Sequence, residues 1–281
     1  LLDLIQNYVN LQVNKEKYFD NQTKSLREKE KTILIFPRFH QRRAVQNLLA
    51  AIKKEGVGGK YLIHHSAGSG KSNTISWLAH RLSDFYQHTD DTNALFNSVI
   101  VVTDRRVLDK QIQDNIRQFE HVPGTVAYID QNKTSQDLKL AIEQGKRIIV
   151  TTLQKFPVIS DVIAQNKDKA YAVIIDEAHS SQAGESARHL RKALSLEEAE
   201  SADGVEKEID EIIEEEIKRK GDQTNISFFA FTATPKPKTL EMFGTIRNGQ
   251  KEAFDLYTME QAIKEGFIID VLKNYMSWKR Y

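Results

Sequence analysis

The sequence predicts an α/β protein with a mostly parallel, doubly wound sheet that carries helices on both faces. Two observations predict this fold: short apolar segments alternate with amphipathic ones over most of the chain, and a glycine-rich loop separates the first of these strands from the next helix. Strands that alternate with helices are typical of parallel crossover units. The length of 281 residues, 40% of them hydrophobic, allows one large domain or two modest ones.

Apolar runs place six strands, and apolar residues at helical spacing place helices between them. The expected strands span residues 61–64, 98–103, 125–129, 147–151, 170–176 and 226–232. The expected helices span residues 43–54, 71–86, 106–119, 135–144, 153–163 and 187–194. Residues 1–31 begin with apolar positions at helical spacing and continue into a charged run, which predicts a helix and a linker.

Charge is unevenly distributed, although the formal net charge is only +1. Residues 196–216 hold eleven acids against one base, a local charge of −10, which leaves +11 on the rest of the chain. Such a basic body suits a polyanionic partner such as nucleic acid, although proteins without such a partner show the same surplus. Residues 196–222 predict a solvated acidic helical insertion, with a protein-contact or DNA-mimicking role as an alternative.

Composition excludes several classes of protein. The chain has no cysteine, so disulfide scaffolds, thiolate zinc sites and cysteine nucleophiles are excluded. The longest apolar runs are far shorter than the ~20 residues that a membrane span requires. Residues 1–10 do not have the basic-then-apolar pattern of a signal segment. We therefore expect a soluble, cytoplasmic protein, and the absence of an initial methionine indicates a fragment.

The strongest functional signal is the run HHSAGSGKS at residues 64–72, which follows a predicted strand and opens a predicted helix. Backbone N–H groups of such a loop converge on phosphates, and the helix N-terminus adds its dipole. Lys71 would reach the β- and γ-phosphates, and the Ser72 hydroxyl would bind Mg²⁺. The usual pattern has glycine where this chain has His65, so the pattern is intact only in the half that contacts phosphate, residues 68–72. The loop residues expected to bind the nucleotide are Ala67, Gly68, Ser69, Gly70, Lys71 and Ser72.

Two acids form a second candidate site. Residues 172–175 have the apolar pattern of a buried strand and lead directly into Asp176 and Glu177. In a parallel sheet the carboxyl end of such a strand lies beside the phosphate loop, so Asp176 is expected in the Mg²⁺ shell. Glu177 would orient or activate the attacking water. Acids commonly cap strand ends, and only the pairing with the phosphate loop makes this signal strong.

The run Asp-Glu-Ala-His at residues 176–179 resembles motif II of superfamily 2 helicases and translocases. Other segments resemble motifs of this superfamily in order: residues 36–41 the adenine-reading Q motif, 101–106 motif Ia, 151–156 the segment after the next core strand, and 231–235 motif III. The resemblance implies a RecA-like P-loop domain that binds ATP and Mg²⁺. The roles that it implies are catalysis by Lys71, Asp176, Glu177 and His179, nucleotide binding by Arg38 and Gln41, and coupling of the ATP site to DNA by Thr232 and Thr234.

Several motif spellings are similar to those of the R subunit, which is the motor and nuclease subunit of type I restriction-modification enzymes. The similarity lies at residues 36–41, 65–71, 104–111, 151–156, 176–182, 231–235 and 257–266. It implies ATP-dependent translocation of duplex DNA before cleavage, with specificity and methylation subunits as partners. It also implies three regions, namely a helical linker from a missing nuclease domain (1–31), a first motor lobe (32–267), and the start of the connection to a missing second lobe (268–281).

DNA contacts in such a lobe would go mainly to phosphates. The candidates are Arg105 and Arg106 in the segment that resembles motif Ia, and Gln154 and Lys155 after the next strand. For Arg106 and Lys155 an ordinary surface charge is an equally good interpretation. In such motors the second lobe contributes an arginine that stabilises the transition state, and in related systems this arginine adds ~10³–10⁵ in rate. Because the second lobe is missing, the isolated chain is expected to be a weak ATPase.

Two alternatives stay open. The first is another superfamily 2 motor, such as a repair helicase or a chromatin-type translocase, which a nuclease test on the full-length protein would distinguish. The second is a P-loop protein that binds ATP without motor activity, which the absence of DNA-stimulated ATP hydrolysis would support. The sequence indicates neither a DNA target nor a surface for partner subunits.

Overall fold

The computed structural model describes residues 1–20, 24–103, 106–120, 122–129, 133–177, 224–247 and 249–270. The strands in these ranges are β1 (Asn10–Asp20), β2 (Ser25–Ile35), β3 (Lys60–His65), β4 (Ser98–Thr103), β5 (Val126–Ile129), β6 (Ile148–Thr152), β7 (Tyr171–Ile175), β8 (Ile226–Thr232), β9 (Thr245–Arg247), β10 (Gln250–Glu252) and β11 (Asp255–Tyr257). Seven of them form a central sheet in the order β11-β3-β8-β7-β4-β6-β5, and every neighbouring pair is parallel.

Helices cover both faces of this sheet, which confirms the expected α/β fold. Successive side chains of a strand point to opposite faces, so Val99 and Val101 of β4 enter one core and Ile100 and Val102 the other. The helices are α1 (Leu2–Asn7), α2 (Phe39–Glu55), α3 (Lys71–Ser83), α4 (Arg106–Gln118), α5 (Ser135–Glu143), α6 (Phe156–Gln165), α7 (Pro237–Phe243) and α8 (Met259–Lys264). Helices α2, α3 and α4 contribute side chains to the first core, and α5, α6 and α7 contribute to the second.

The predicted elements agree closely with those observed. Strands β4 and β8 have the predicted ends, and the other four predicted strands differ by one residue at one or both ends. Helix α2 begins four residues earlier than predicted, and the expected helix at 153–163 opens with a 3₁₀ turn, Leu153–Lys155, before α6. The predicted helix at 187–194 and the acidic insertion at 196–222 lie outside the described residues.

The region 1–31 differs from the expected helical linker. Only Leu2–Asn7 is helical, and β1 and β2 pair as a long antiparallel hairpin with Asn10 opposite Ile35. The charged run that resembles a linker places opposite charges across the two strands: Lys17 faces Glu28, with Nζ and Oε1 3.7 Å apart. Such cross-strand pairs favour a hairpin, which explains why the charged run is a strand.

The start of the chain is anchored on the body that surrounds the central sheet. The Trp77 indole N–H on α3 donates to the Tyr8 carbonyl at 3.0 Å, and the Tyr8 side chain is completely buried. Asp3 forms ion pairs with Arg42 (3.9 Å) and Arg81 (3.2 Å). Tyr8 therefore belongs to the first core, and the partly buried Leu4 packs against that core. Across the described ranges, no helix combines the length and apolar character needed to cross a membrane.

Two substitutions of Tyr8 test this anchoring. The Tyr8 hydroxyl is buried, and among the described residues it has no hydrogen-bond partner. Tyr8→Phe removes this unsatisfied group and should leave the free energy of unfolding unchanged or raise it by up to about 1 kcal/mol. Tyr8→Ala leaves a cavity and should lower the free energy of unfolding by about 3–5 kcal/mol. Urea unfolding followed by circular dichroism measures both, and a loss under 1 kcal/mol for Tyr8→Ala would contradict the packing.

Candidate active site

The phosphate loop occupies residues 66–70, between the end of β3 and the first residue of α3. Gly68 and Gly70 have left-handed backbone angles, with φ of +73° and +84°, which residues with a Cβ rarely adopt. The Ser69 N–H donates to the Ser66 carbonyl at 3.3 Å, and this contact closes the turn. Helix α3 then starts at Lys71, so its first N–H groups, which have no partner within the helix, face the loop.

The N-terminal end of α2 packs against this loop. The Gln41 amide donates from Nε2 to the Gly70 carbonyl at 2.9 Å and accepts at Oε1 from the Arg38 N–H at 2.8 Å. A Cβ on Gly70 would lie 2.5 Å from Gln41 Nε2, so this contact requires glycine there as well. The Arg38 guanidinium lies 3.5 Å from the Gly68 carbonyl. The two predicted nucleotide-binding residues of α2 and its N-cap therefore lie directly on the phosphate loop.

His40, between these two residues, is a neutral hydrogen-bond donor. Burial lowers the pKa of its imidazole to about 4, and the ring stacks on Tyr257 with centroids 3.6 Å apart and planes 7° apart. Its Nε2 lies 2.9 Å from the Ser69 carbonyl, which can only accept, so Nε2 carries the proton. The motif string contains His40, but sequence reasoning gave it no role.

The two acids lie at the carboxyl end of β7. The Asp176 N–H donates to the Val102 carbonyl at 2.9 Å, and the Asp176 side chain is almost completely buried. Glu177 has φ of +52°, a left-handed conformation that costs about 1–3 kcal/mol in a residue other than glycine and is typical of functional sites. Its Oε1 lies 3.4 Å from Lys71 Nζ, so the acids and the phosphate loop face each other.

The residues after β8 connect the two halves of the site. Thr232 is buried at the end of this strand, and its Oγ1 accepts from the Thr234 N–H at 3.2 Å. The His64 Nε2 lies 3.1 Å from the Ala233 carbonyl, and burial lowers the pKa of His64, so the neutral ring donates. Thr232, which pairs with His64, and Ala233 thus contact the strand that leads into the phosphate loop.

Oxygen donors suited to Mg²⁺ lie in this cleft. A buried carboxylate on Asp176 and the hydroxyl of Ser72 on the first turn of α3 are hard oxygen ligands of the kind that Mg²⁺ prefers. No group of three or more histidines, cysteines or acids with metal-binding geometry occurs within the described ranges. The chemistry of the donor set therefore fits a cation that is held jointly with phosphate oxygens.

Of the four residues predicted to contact DNA, only Lys155 has a side chain within the described part of the structure. Lys155 Nζ donates to the Lys133 carbonyl at 2.8 Å and lies 3.4 Å from the Ile129 carbonyl, at the end of β5. Arg105 lies outside the described residues, as does the catalytic candidate His179, and so do the side chains of Arg106 and Gln154. Sequence reasoning missed Asp255, a buried acid beside the loop whose only signal was the neighbouring 257–266 motif.

The phosphate loop before α3 and the acids after β7 define the class, a P-loop nucleotide-binding domain. The family follows from a sequence match to the SWI2/SNF2 ATPase, which spans residues 40–199, more than half of the chain. The chain belongs to the SWI2/SNF2 ATPase family.

Relatives extend this assignment. The chain is 25% identical over 258 residues to the type I restriction enzyme SsaAORF53P endonuclease subunit of Staphylococcus saprophyticus. It is 24% identical over 251 residues to the SauCOLORF180P endonuclease subunit of Staphylococcus aureus strain COL. Each match covers 87% of this chain and 22% of the relative, so the chain spans about a fifth of the length of these relatives. The matches confirm the resemblance to type I restriction endonuclease subunits.

Two solved structures are similar to the chain at low scores. A fragment assigned to the HsdR subunit of a type I restriction enzyme from Vibrio vulnificus YJ016 has a TM-score of 0.47 at 14% identity, and the match covers 90% of this chain and 41% of that one. The Hef helicase domain of Pyrococcus furiosus has a TM-score of 0.41 at 20% identity, with 72% and 36% covered. Both scores lie below 0.5, so the fold description depends on the sheet itself.

Stability should depend on pH through His40. Its pKa is about 4 in the folded chain and 6.5 in the unfolded one, so its contribution is complete above pH 6.5 and is lost as the pH falls toward 4. His40→Gln keeps an N–H donor but does not titrate. Between pH 7.5 and 5 we expect the wild type to lose roughly 1–2 kcal/mol more unfolding free energy than His40→Gln. Equal losses in urea titrations at the two pH values would contradict a buried neutral imidazole.

Proposed function

We propose that this domain binds Mg·ATP in the cleft between the phosphate loop and β7, and hydrolyses it as the first motor lobe of a type I restriction endonuclease R subunit. The single observation that carries the proposal is the 3.4 Å approach of Lys71 Nζ to Glu177 Oε1. This short distance places the Lys71 ammonium, which would bind phosphate, beside the Glu177 carboxylate, which would activate water. If the Gly-Lys-Ser sequence were a chance surface turn, we would not expect it to lie next to the two acids that follow β7.

Each side chain has a distinct part in this scheme. The N–H groups at the start of α3 and the Lys71 ammonium would bind the phosphates. Ser72 and Asp176 would hold Mg²⁺, which when bound would neutralise negative charge on the phosphates. When Lys71 turns to the phosphates it leaves Glu177, whose carboxylate then orients the attacking water. Gln41 and Arg38, which contact the loop from α2, bind the adenine side of the nucleotide.

Hydrolysis is proposed to drive translocation along duplex DNA before cleavage. The contacts of Thr232 and Ala233 with His64 support this coupling, because Thr232 ends and Thr234 follows β8, the strand that separates the two halves of the site. DNA contacts from Arg105, Arg106, Gln154 and Lys155 would go to phosphates and weaken with salt. By this proposal the specificity and methylation subunits of the restriction complex are the partners. His179 is proposed to hydrogen-bond near the γ-phosphate.

A second candidate is a superfamily 2 motor outside restriction, because the SWI2/SNF2 family match is not specific to restriction enzymes. Both candidates hydrolyse ATP and bind duplex DNA. A nuclease assay on the full-length protein distinguishes them: ATP-dependent cleavage of duplex DNA supports the restriction motor, and DNA-stimulated hydrolysis of ATP without cleavage supports the alternative.

Nucleotide binding should depend on Lys71. Lys71→Ala removes the ammonium from the phosphates, and we expect the Kd for a fluorescent ATP analogue with Mg²⁺ to rise at least tenfold, a loss of about 1.4 kcal/mol or more. Fluorescence titration of the chain, with and without duplex DNA, measures this. The matched control is Lys60→Ala, which removes an exposed lysine from the opposite end of β3 and should leave the Kd unchanged. Equal binding by the wild type and Lys71→Ala would mean that the loop assignment is wrong.

Hydrolysis should depend on Glu177 in a different way. Glu177→Gln keeps the shape of the side chain but loses its charge, so ATP should still bind while the rate of hydrolysis falls by about 10²–10⁴. The assay is phosphate release by the full-length protein with duplex DNA. Asp161→Asn, a loss of one carboxylate on the exposed side of α6, serves as the control. A Glu177→Gln protein with wild-type turnover would exclude Glu177 from the proposed role.

A further inference from the structure

The structure explains why histidine replaces glycine at the first position of the phosphate loop pattern. His65 is the last residue of β3, and its side chain has no exposed surface. Its Nε2 lies 2.9 Å from Oδ1 of Asp255, on the edge strand β11. A glycine could not make this contact, so the departure from the usual pattern introduces a specific hydrogen bond behind the loop.

The Asp255 carboxylate accepts hydrogen bonds from residues of two elements, β3 and α2. Besides His65 it accepts from Arg43 on α2, with Nη2 3.1 Å from Oδ1 and Nε 3.3 Å from Oδ2, and it lies 3.4 Å from the Asn47 amide. Burial alone would raise the pKa of Asp255, but the hydrogen bonds from His65 and Arg43 outweigh burial and lower it. Asp255 is therefore an ionised buried acid that can only accept, and His65 Nε2 must carry the proton.

The same helix reaches the phosphate loop itself. One turn before Arg43, the side chains of His40 and Gln41 donate to the carbonyls of Ser69 and Gly70. Helix α2 is thus attached to the loop at its first turn and to Asp255 in its next turn. Asp255 is in turn attached to His65, the residue from which the loop departs. Helix α2, Asp255, His65 and the loop are therefore joined by an unbroken series of contacts, which fixes α2 relative to the loop.

We propose that His65, Asp255 and Arg43 form a positioning unit that sets the alignment of the adenine-binding end of α2 with the phosphate loop. The inference rests on the proposed function, because it assigns the two ends of one nucleotide to α2 and to the loop. Neither His65 nor Asp255 touches the nucleotide in this account. They affect the affinity for ATP through the position of α2. A ligand that consists of phosphates alone would occupy only the loop, so its binding would not depend on that position.

The test compares ATP with tripolyphosphate, a probe that occupies only the phosphate loop. His65→Ala should raise the Kd of a fluorescent Mg·ATP analogue about tenfold, while the Kd of tripolyphosphate, measured by competition, should change less than twofold. His65→Gln places an amide N–H near the position of His65 Nε2 and should restore ATP binding to within about threefold of the wild type. The titrations are made at a temperature at which every variant is folded, as judged by circular dichroism.

Tyr61→Phe provides the matched control. It removes a half-buried hydrogen bond, from the Tyr61 hydroxyl to Glu55 Oε2 at 2.9 Å, at the other end of β3. This variant should lose stability without a change in either Kd. Equal loss of ATP and tripolyphosphate binding in His65→Ala, or unchanged binding of both, would overturn the positioning unit. A wild-type chain that binds neither ligand would instead overturn the proposed function.

Discussion

The parallel register of β3, β8 and β7 is the constraint on which the rest of the site depends. His64 lies opposite Thr232 and Ile175 lies opposite Ala230, so the three strands end almost level at one edge of the sheet. Segments that leave this edge must therefore meet, although Lys71 and Glu177 are far apart in sequence. An antiparallel β7 would deliver its acids to the opposite edge, and no local sequence feature could compensate.

Around this edge the protein places polar groups in buried or half-buried positions, and three of these side chains have clear partners. His40 is neutral and donates to the loop, His64 donates to the residues after β8, and Asp255 is ionised between a guanidinium and an imidazole. A buried acid or imidazole without such partners would cost several kcal/mol. The region behind the loop is consequently a polar network, while the sheet itself is packed with aliphatic and aromatic side chains.

Much of the fold could be predicted because its strands are apolar runs bounded by turns, and the loop and acids carry motif signals. The β1–β2 hairpin could not be predicted, because the charged run that contains Lys17 and Glu28 resembles a linker until the pairing of the two strands is known. The edge strand at Asp255 has only three residues, too few to show a periodicity. Lys155 was predicted to contact DNA from its position after a strand. Its contacts with the carbonyls of Ile129, at the end of β5, and Lys133 could not be predicted, because these residues lie more than 20 positions earlier in the sequence.

The central claim is that one nucleotide contacts both the phosphate loop after β3 and the two acids after β7, which lie on either side of β8. A crystal structure of the chain with Mg²⁺ and a non-hydrolysable ATP analogue tests this most directly. The account predicts the triphosphate on the N–H groups of residues 68–72, with Lys71 Nζ turned from Glu177 to a phosphate oxygen. A nucleotide bound away from this loop, or bound there with Lys71 still on Glu177, would contradict it.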